Sequence, residues 1–131
     1  MNKTTHQIQD FENILLCGPI WMGHLAAPVY SMLKKNRDTF RNVYIVTCCG
    51  STENDKDTKF GYQALFNNLR KLAGAKLKKP YALSTAMLIE ESKRTEANIT
   101  ELKIDDSNFE RIKDQYEKVA EDLKKEVNCL K

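Results

Sequence analysis

Short apolar runs alternate with amphipathic stretches along most of the chain, and this pattern predicts a layered α/β fold. The runs at residues 13–17 and 43–48 are too short for helices and end at turn residues, as strands buried on both faces do. A third run near residues 80–88 predicts another strand. Residues 19–25 predict a loop, because Gly18-Pro19 should end the first strand.

Helical periodicity lies between and after these strands. Apolar residues recur at spacings of three and four near residues 26–35, 59–73 and 107–128. Gly74 stands where a left-handed residue should end the second helix, and Ser107 with a glutamate three residues later predicts a capping box for the third. Alternating strands and helices favour a parallel sheet with helices on its faces and with ligands at the strands' carboxyl ends.

The composition of the 131-residue chain narrows the class of protein further. With 41% hydrophobic residues the chain can build one core, and no apolar run approaches the ~18 residues of a membrane helix. The 21 basic and 18 acidic residues interleave, which argues against a nucleic-acid-binding surface. The four cysteines form no CxxC pair, and the first residues carry no apolar stretch. We therefore expect free thiols, no zinc and a cytoplasmic location.

Three segments carry a resemblance to known proteins. Residues 18–29 contain a Pro-x-Trp loop with glycine and then a proline-containing helix start, and residues 46–51 read Val-Thr-Cys-Cys-Gly-Ser. Residues 72–76, Leu-Ala-Gly-Ala-Lys, lead to the last predicted strand. In this order and spacing the segments resemble the flavodoxin family over about residues 10–128. The resemblance implies a three-layer flavodoxin-like parallel sheet in which the middle predicted strand is central, and one domain over residues 1–131.

The resemblance also implies a cofactor and a site. In that family the two loops hold the isoalloxazine ring of FMN, and Trp21 is the candidate for stacking on the ring face. The residues expected to shape the two loops are Pro19, Ile20, Trp21, Met22, Gly23, His24, Cys48, Cys49, Gly50 and Ser51. By this resemblance the chain would be an FMN-binding redox module, either an electron carrier or a small FMN-dependent oxidoreductase. No catalytic residue is assigned.

Each of these candidates also has a purely structural interpretation. Trp21 could pack at a subunit contact, and His24 could cap a helix start instead of donating a proton. One of Cys48 and Cys49 is expected in the core and the other along the loop, and a redox role is the less favoured alternative. The acidic loop at residues 49–59 is expected to be solvated and not to bind a metal.

The family's first strand and its Ser/Thr/Gly-rich phosphate loop have no counterpart in the sequence. The chain resembles the carboxyl-terminal part of a flavodoxin, incomplete with three core strands, so the expected FMN binding is weak or partner-dependent. The alternative function is a non-catalytic flavodoxin-like remnant or interaction module that does not bind FMN on its own.

The missing strand also bears on assembly. The edge formed by Ile14, Leu15 and Leu16 contains neither proline nor charge, so the usual protections against edge pairing are absent. We expect a homodimer through this edge. A separate amino-terminal chain and a fold of residues 1–10 over the edge are the alternatives, and a redox partner protein is a further expected partner.

Overall fold

One open sheet organises the computed structural model, which describes residues 6–95, 98–99 and 101–129. Its strands are β1 (Asn13–Trp21), β2 (His24–Leu25), β3 (Asn42–Cys49) and β4 (Leu77–Ser84). The strands lie in the order β2-β1-β3-β4; β1, β3 and β4 are parallel and β2 is antiparallel to β1. The predicted parallel core with a central middle strand is confirmed.

The helices follow the predicted order along the chain. They are α1 (Ala27–Asn36), α2 (Gln63–Ala73) and α3 (Asp106–Cys129). Short 3-10 helices cover Ile8–Asp10, Gly74–Lys76, Thr85–Leu88 and Glu91–Lys93. Pro28 lies in the first turn of α1, where a missing N–H costs nothing, and Gly74 follows α2 with a φ of 58°. The described part of the chain is therefore an α/β fold.

The main core lies between one face of the sheet and helices α1 and α2. Ile14 pairs with Val43 and Leu16 with Ile45 across the β1–β3 ladder, so these side chains share one face. They pack against fully or nearly fully buried side chains of the helices and connections, among them Leu33, Phe40, Leu65, Phe66 and Leu69. This face is closed by two helices.

Helix α3 lies against the opposite face. The hydroxyl of Tyr81 donates to a carboxylate oxygen of Asp122 at 3.1 Å, and Asp122 also forms an ion pair with Lys79. The amide of Ser84 donates to Oε1 of Gln115 at 2.6 Å. None of the residues of α3 is buried, so this helix covers its face only in part.

The predicted loop at residues 19–25 is wrong. Strand β1 continues through Pro19 to Trp21, turns at Met22 and Gly23, and returns as β2. Pro19 is tolerated because its ring nitrogen lies on the outer side of β1, where no ladder donor is needed. Met22 and Gly23 have φ of 51° and 79°, and positive φ at both positions is typical of the type I′ turn that closes two-residue hairpins.

Other boundaries also differ from the sequence-based expectation. Helix α2, predicted from about residue 59, begins at Gln63. The third strand spans Leu77–Ser84, and Thr85–Leu88 form a 3-10 helix with Ala86 and Leu88 buried. A short apolar run cannot distinguish a strand from a buried helical turn. The predicted capping box at Ser107 is also wrong, because Oδ1 of Asp105 accepts hydrogen bonds from the amides of residues 107 and 108.

Candidate functional site

The two predicted loop segments meet at one edge of the sheet. Pro19 of β1 pairs with Cys48 of β3, so the β1–β2 hairpin and the segment after β3 lie side by side at the strands' carboxyl ends. The parallel arrangement causes this adjacency, because the carboxyl ends of neighbouring parallel strands share an edge. The structure thus brings together two segments that are almost thirty residues apart in the sequence.

The side chains of the hairpin divide into buried and exposed sets. Ile20 belongs to the main core, whereas Trp21 is 70% exposed and Met22 is 58% exposed. His24 is exposed in β2 and does not cap α1, whose N-cap residue is Ala26. The capping interpretation of His24 is therefore wrong. The hairpin thus exposes the aromatic side chain of Trp21 and the thioether side chain of Met22, while Ile20 fixes its backbone to the core.

Close packing of α1 against β1 holds the base of the hairpin. A Cβ atom on Gly18 would lie 2.7 Å from Cγ2 of Val29, a distance that real Cβ contacts do not tolerate. Glycine at this position lets the helix approach the strand directly. The amide of Ala26 also donates to the carbonyl of Pro19 at 3.0 Å, which ties the hairpin to the start of α1.

The two adjacent cysteines lie in different environments, as expected. Cys48 is exposed, and Cys49 is buried in the main core with its thiol 3.6 Å from the carbonyl oxygen of Ser51. Burial raises the pKa of the Cys49 thiol, so the thiol stays protonated at neutral pH. Cys49 therefore holds the second segment through its core packing and the contact of its thiol with Ser51, and it is a poor nucleophile.

The acidic loop after β3 is held by its own hydrogen bonds. Tyr62 donates from its hydroxyl to Oε2 of Glu53 at 2.7 Å, and Thr52 donates from Oγ1 to Oδ1 of Asp55 at 2.8 Å. Hydrogen bonds from Lys56 and then Tyr62 lower the pKa of Glu53. Among residues 6–95, 98–99 and 101–129 no group of three or more His, Cys, Asp or Glu is placed to hold a metal ion.

A cavity of about 260 Å³, with both polar and apolar lining residues, opens beside the second segment at the carboxyl ends of β3 and β4. It is lined by Ser51, Thr52, Glu53, Tyr62, Ala82, Ser84, Met87 and Gln115. The hydroxyl oxygen of Ser84 is buried and has no hydrogen-bond partner within the described residues. The sequence pattern did not indicate this cavity, because Gln115 reaches it from α3, whose spacing shows only amphipathicity.

These features define an α/β protein with an open, mostly parallel sheet and a candidate ligand-binding edge at the ends of β1 and β3. Comparisons with protein-family models, with curated proteins and with solved structures found no match. No helix in the described ranges combines the length and apolar character needed to span a bilayer.

Proposed function

We propose that this chain is a flavodoxin-like module that binds the isoalloxazine ring of FMN between the β1–β2 hairpin and the segment Cys48 to Ser51. In this role it would act as an electron carrier or a small FMN-dependent oxidoreductase. The observation that carries the proposal is the pairing of Pro19 with Cys48, which sets the two segments side by side with Trp21 exposed next to them.

The hairpin supports this proposal because it offers a ring-stacking surface on a constrained backbone. Trp21 pairs with His24 across the hairpin, and the strand behind it pairs with β3 up to Pro19. An exposed indole in such a position loses little freedom when a planar ring stacks on it, and aromatic stacking contributes ~1 kcal/mol beyond the area it buries. Trp21 is thus the residue we propose for direct contact with the ring.

The affinity of the site should come from the ring and not from the phosphate. Among the described residues ahead of β1, 6–12, there is a 3-10 helix at Ile8–Asp10 and no strand with a Ser/Thr/Gly-rich loop that would cradle a phosphate at a helix N-terminus. Three charge-assisted hydrogen bonds to a phosphate would contribute ~1.5–3 kcal/mol each. Without them the dissociation constant rises by several powers of ten, so we propose weak or partner-dependent FMN binding.

The test uses the fact that Trp21 is the only tryptophan. Titration with FMN should quench its fluorescence, and the flavin absorbance should shift in parallel. Trp21→Ala, followed by flavin absorbance, should raise the dissociation constant about tenfold or more, because stacking and burial together contribute ~1.5–3 kcal/mol. Phe109→Ala removes an exposed aromatic ring from α3 and should leave the constant unchanged. Equal constants for the native chain and Trp21→Ala would remove Trp21 from the site.

A second candidate function is a non-catalytic interaction module. It is favoured by the exposed apolar side chains that β1 and its hairpin present together, namely Leu15, Trp21 and Met22, because such surfaces are typical of protein contacts. A purified chain that is colourless and does not bind added FMN would support this alternative and contradict the flavin proposal.

A further inference from the structure

The two outer edges of the sheet differ in a way that bears on assembly. The free edge of β4 carries Lys78, Lys79 and Pro80, which are the residue types that block pairing with another strand. The edge of β1 from Asn13 to Gly18 contains no charge and no proline. Within the described residues, β2 pairs with β1 only at Ile20 and Trp21, so the rest of the β1 edge has no strand beside it.

We propose that the edge of β1 pairs antiparallel with the same edge of a second copy of the chain, with the twofold axis beside Leu15. The two sheets then form one continuous sheet across the dimer. This proposal is independent of flavin binding, since it uses the middle of β1 and not the hairpin at its carboxyl end.

The backbone of β1 determines which groups are free to pair. The carbonyl of Pro19 points to the outer edge, because it accepts a hydrogen bond from the amide of Ala26 at 3.0 Å. Alternate residues of a strand point their N–H and C=O groups to the same side, so those of Asn13, Leu15 and Cys17 also face outward. Pro19 itself has no N–H, and its carbonyl is already occupied.

An axis beside Leu15 uses all of these outward groups. Leu15 then lies opposite Leu15 of the second copy, and Asn13 lies opposite Cys17 of the second copy, each as a hydrogen-bonded pair. An axis beside Leu16 would instead place Asn13 opposite Pro19, which has neither a donor nor a free acceptor. Satisfying every outward N–H and C=O therefore selects the axis beside Leu15.

Charge and shape favour a second copy as the occupant. Residues 13–22 contain no charged side chain, so two copies meet without like-charge repulsion although the chain carries a net charge of +3. This stretch offers no charged group with which a charged partner could form an ion pair. The Leu15 side chain is 49% exposed and meets its own counterpart at the axis, which removes apolar surface from water in both copies. The pairing ends at the β1–β2 hairpin, and the 3-10 helix Ile8–Asp10 precedes it.

The alternative occupants make different predictions. Residues 6–10 do not pair with β1, because Ile8–Asp10 form a 3-10 helix, and the earlier residues of the expected amino-terminal cover lie outside the described part of the chain. If those residues or a separate chain cover the edge, the purified protein is a monomer.

Light scattering at micromolar concentration tests the dimer. The native chain should have twice the mass of one 15.1 kDa chain. Leu15→Lys should raise the dimer dissociation constant about tenfold or more, because the apolar contact at the axis is lost and two ammonium groups would face each other. Ile104→Lys makes the same kind of change at another exposed apolar residue and should leave the dimer intact. A monomeric native chain, or equal dissociation constants for Leu15→Lys and Ile104→Lys, would overturn the proposal.

Disulfide trapping tests the register. Leu15→Cys, in a chain whose exposed Cys17, Cys48 and Cys129 are replaced by serine, should form a covalent dimer on mild oxidation. A hydrogen-bonded antiparallel pair holds its Cα atoms about 5.5 Å apart, within the range of a disulfide. Lys78→Cys in the same background places the thiol on the β4 edge and should crosslink slowly. Equal crosslinking rates for the two variants would contradict the β1 interface. The outcome of the crosslinking test does not determine the outcome of the flavin titration, so either proposal can be contradicted without the other.

Discussion

At the scale of single residues, two buried tyrosines make the stability of this protein depend on alkaline pH. Burial is the larger cause that raises the pKa of Tyr62 and Tyr81 above the usual value of 10.0. The second cause is the hydrogen bond that each hydroxyl donates to a carboxylate. The acceptors are Glu53 for Tyr62 and Asp122 for Tyr81. The folded state therefore binds these protons more tightly than the unfolded chain does.

The sign of the effect follows from that difference. Below pH 10 both states are protonated and the stabilisation is fully present; as pH rises above 10 the unfolded chain loses the protons first, so the free energy of unfolding falls. Tyr62→Phe and Tyr81→Phe should each make this fall shallower in urea titrations between pH 9 and pH 11. Tyr30→Phe, on the exposed surface of α1, is the control. An identical pH slope in all variants would show that the tyrosines are not responsible.

The residues of the candidate site were predictable to different degrees. The adjacency of Pro19 and Cys48 could be expected from the strand order, because the carboxyl ends of neighbouring parallel strands share an edge of the sheet. The separation of Cys48 from buried Cys49 follows from strand alternation. Ser84 and Gln115 could not be paired from the sequence, because a helix face does not reveal which strand end it covers.

At the scale of elements, the β1–β2 hairpin contains a residue that is poorly suited to its conformation. Met22 has a φ of 51°, a left-handed value that costs an L-residue with a long side chain roughly 1 kcal/mol. Asparagine tolerates this conformation and is the preferred first residue of a type I′ turn before glycine. The native turn is therefore strained at one position.

This strain predicts a stabilising substitution. Met22→Asn should raise the free energy of unfolding by about 0.5–1 kcal/mol in urea titrations, since it relieves the left-handed penalty. Met32→Asn makes the same exchange inside α1, where asparagine is a weaker helix former, and should lower the free energy slightly. A lower stability for Met22→Asn would indicate that the Met22 side chain contributes contacts that outweigh the strain.

The elements also show where the sequence pattern is reliable. Helix α3 begins within one residue of its prediction, because six apolar positions at spacings of three and four are compatible only with a helix. The short runs were less informative. Pro19 suggested the end of a strand, yet a residue whose nitrogen faces the outer edge needs no N–H, and β1 continues past it. The apolar residues after Ser84 suggested a longer strand, but they form a 3-10 helix.

At the scale of the whole molecule, the two faces of the sheet are covered unequally. Helices α1 and α2 close one face over fully buried side chains such as Leu33 and Leu69. The other face has only α3, none of whose residues is buried, and the β1 edge beside it is uncharged. Both proposals place ligands and partners on the side of β1.

The most direct test of the central proposal compares FMN with riboflavin, which has the same ring and lacks the phosphate. Because the proposed site would contact only the ring, both should quench the fluorescence of Trp21, with dissociation constants within about threefold of each other. A hundredfold preference for FMN would require a phosphate-binding site elsewhere in the chain and would contradict this account. So would the absence of quenching by both flavins at millimolar concentration.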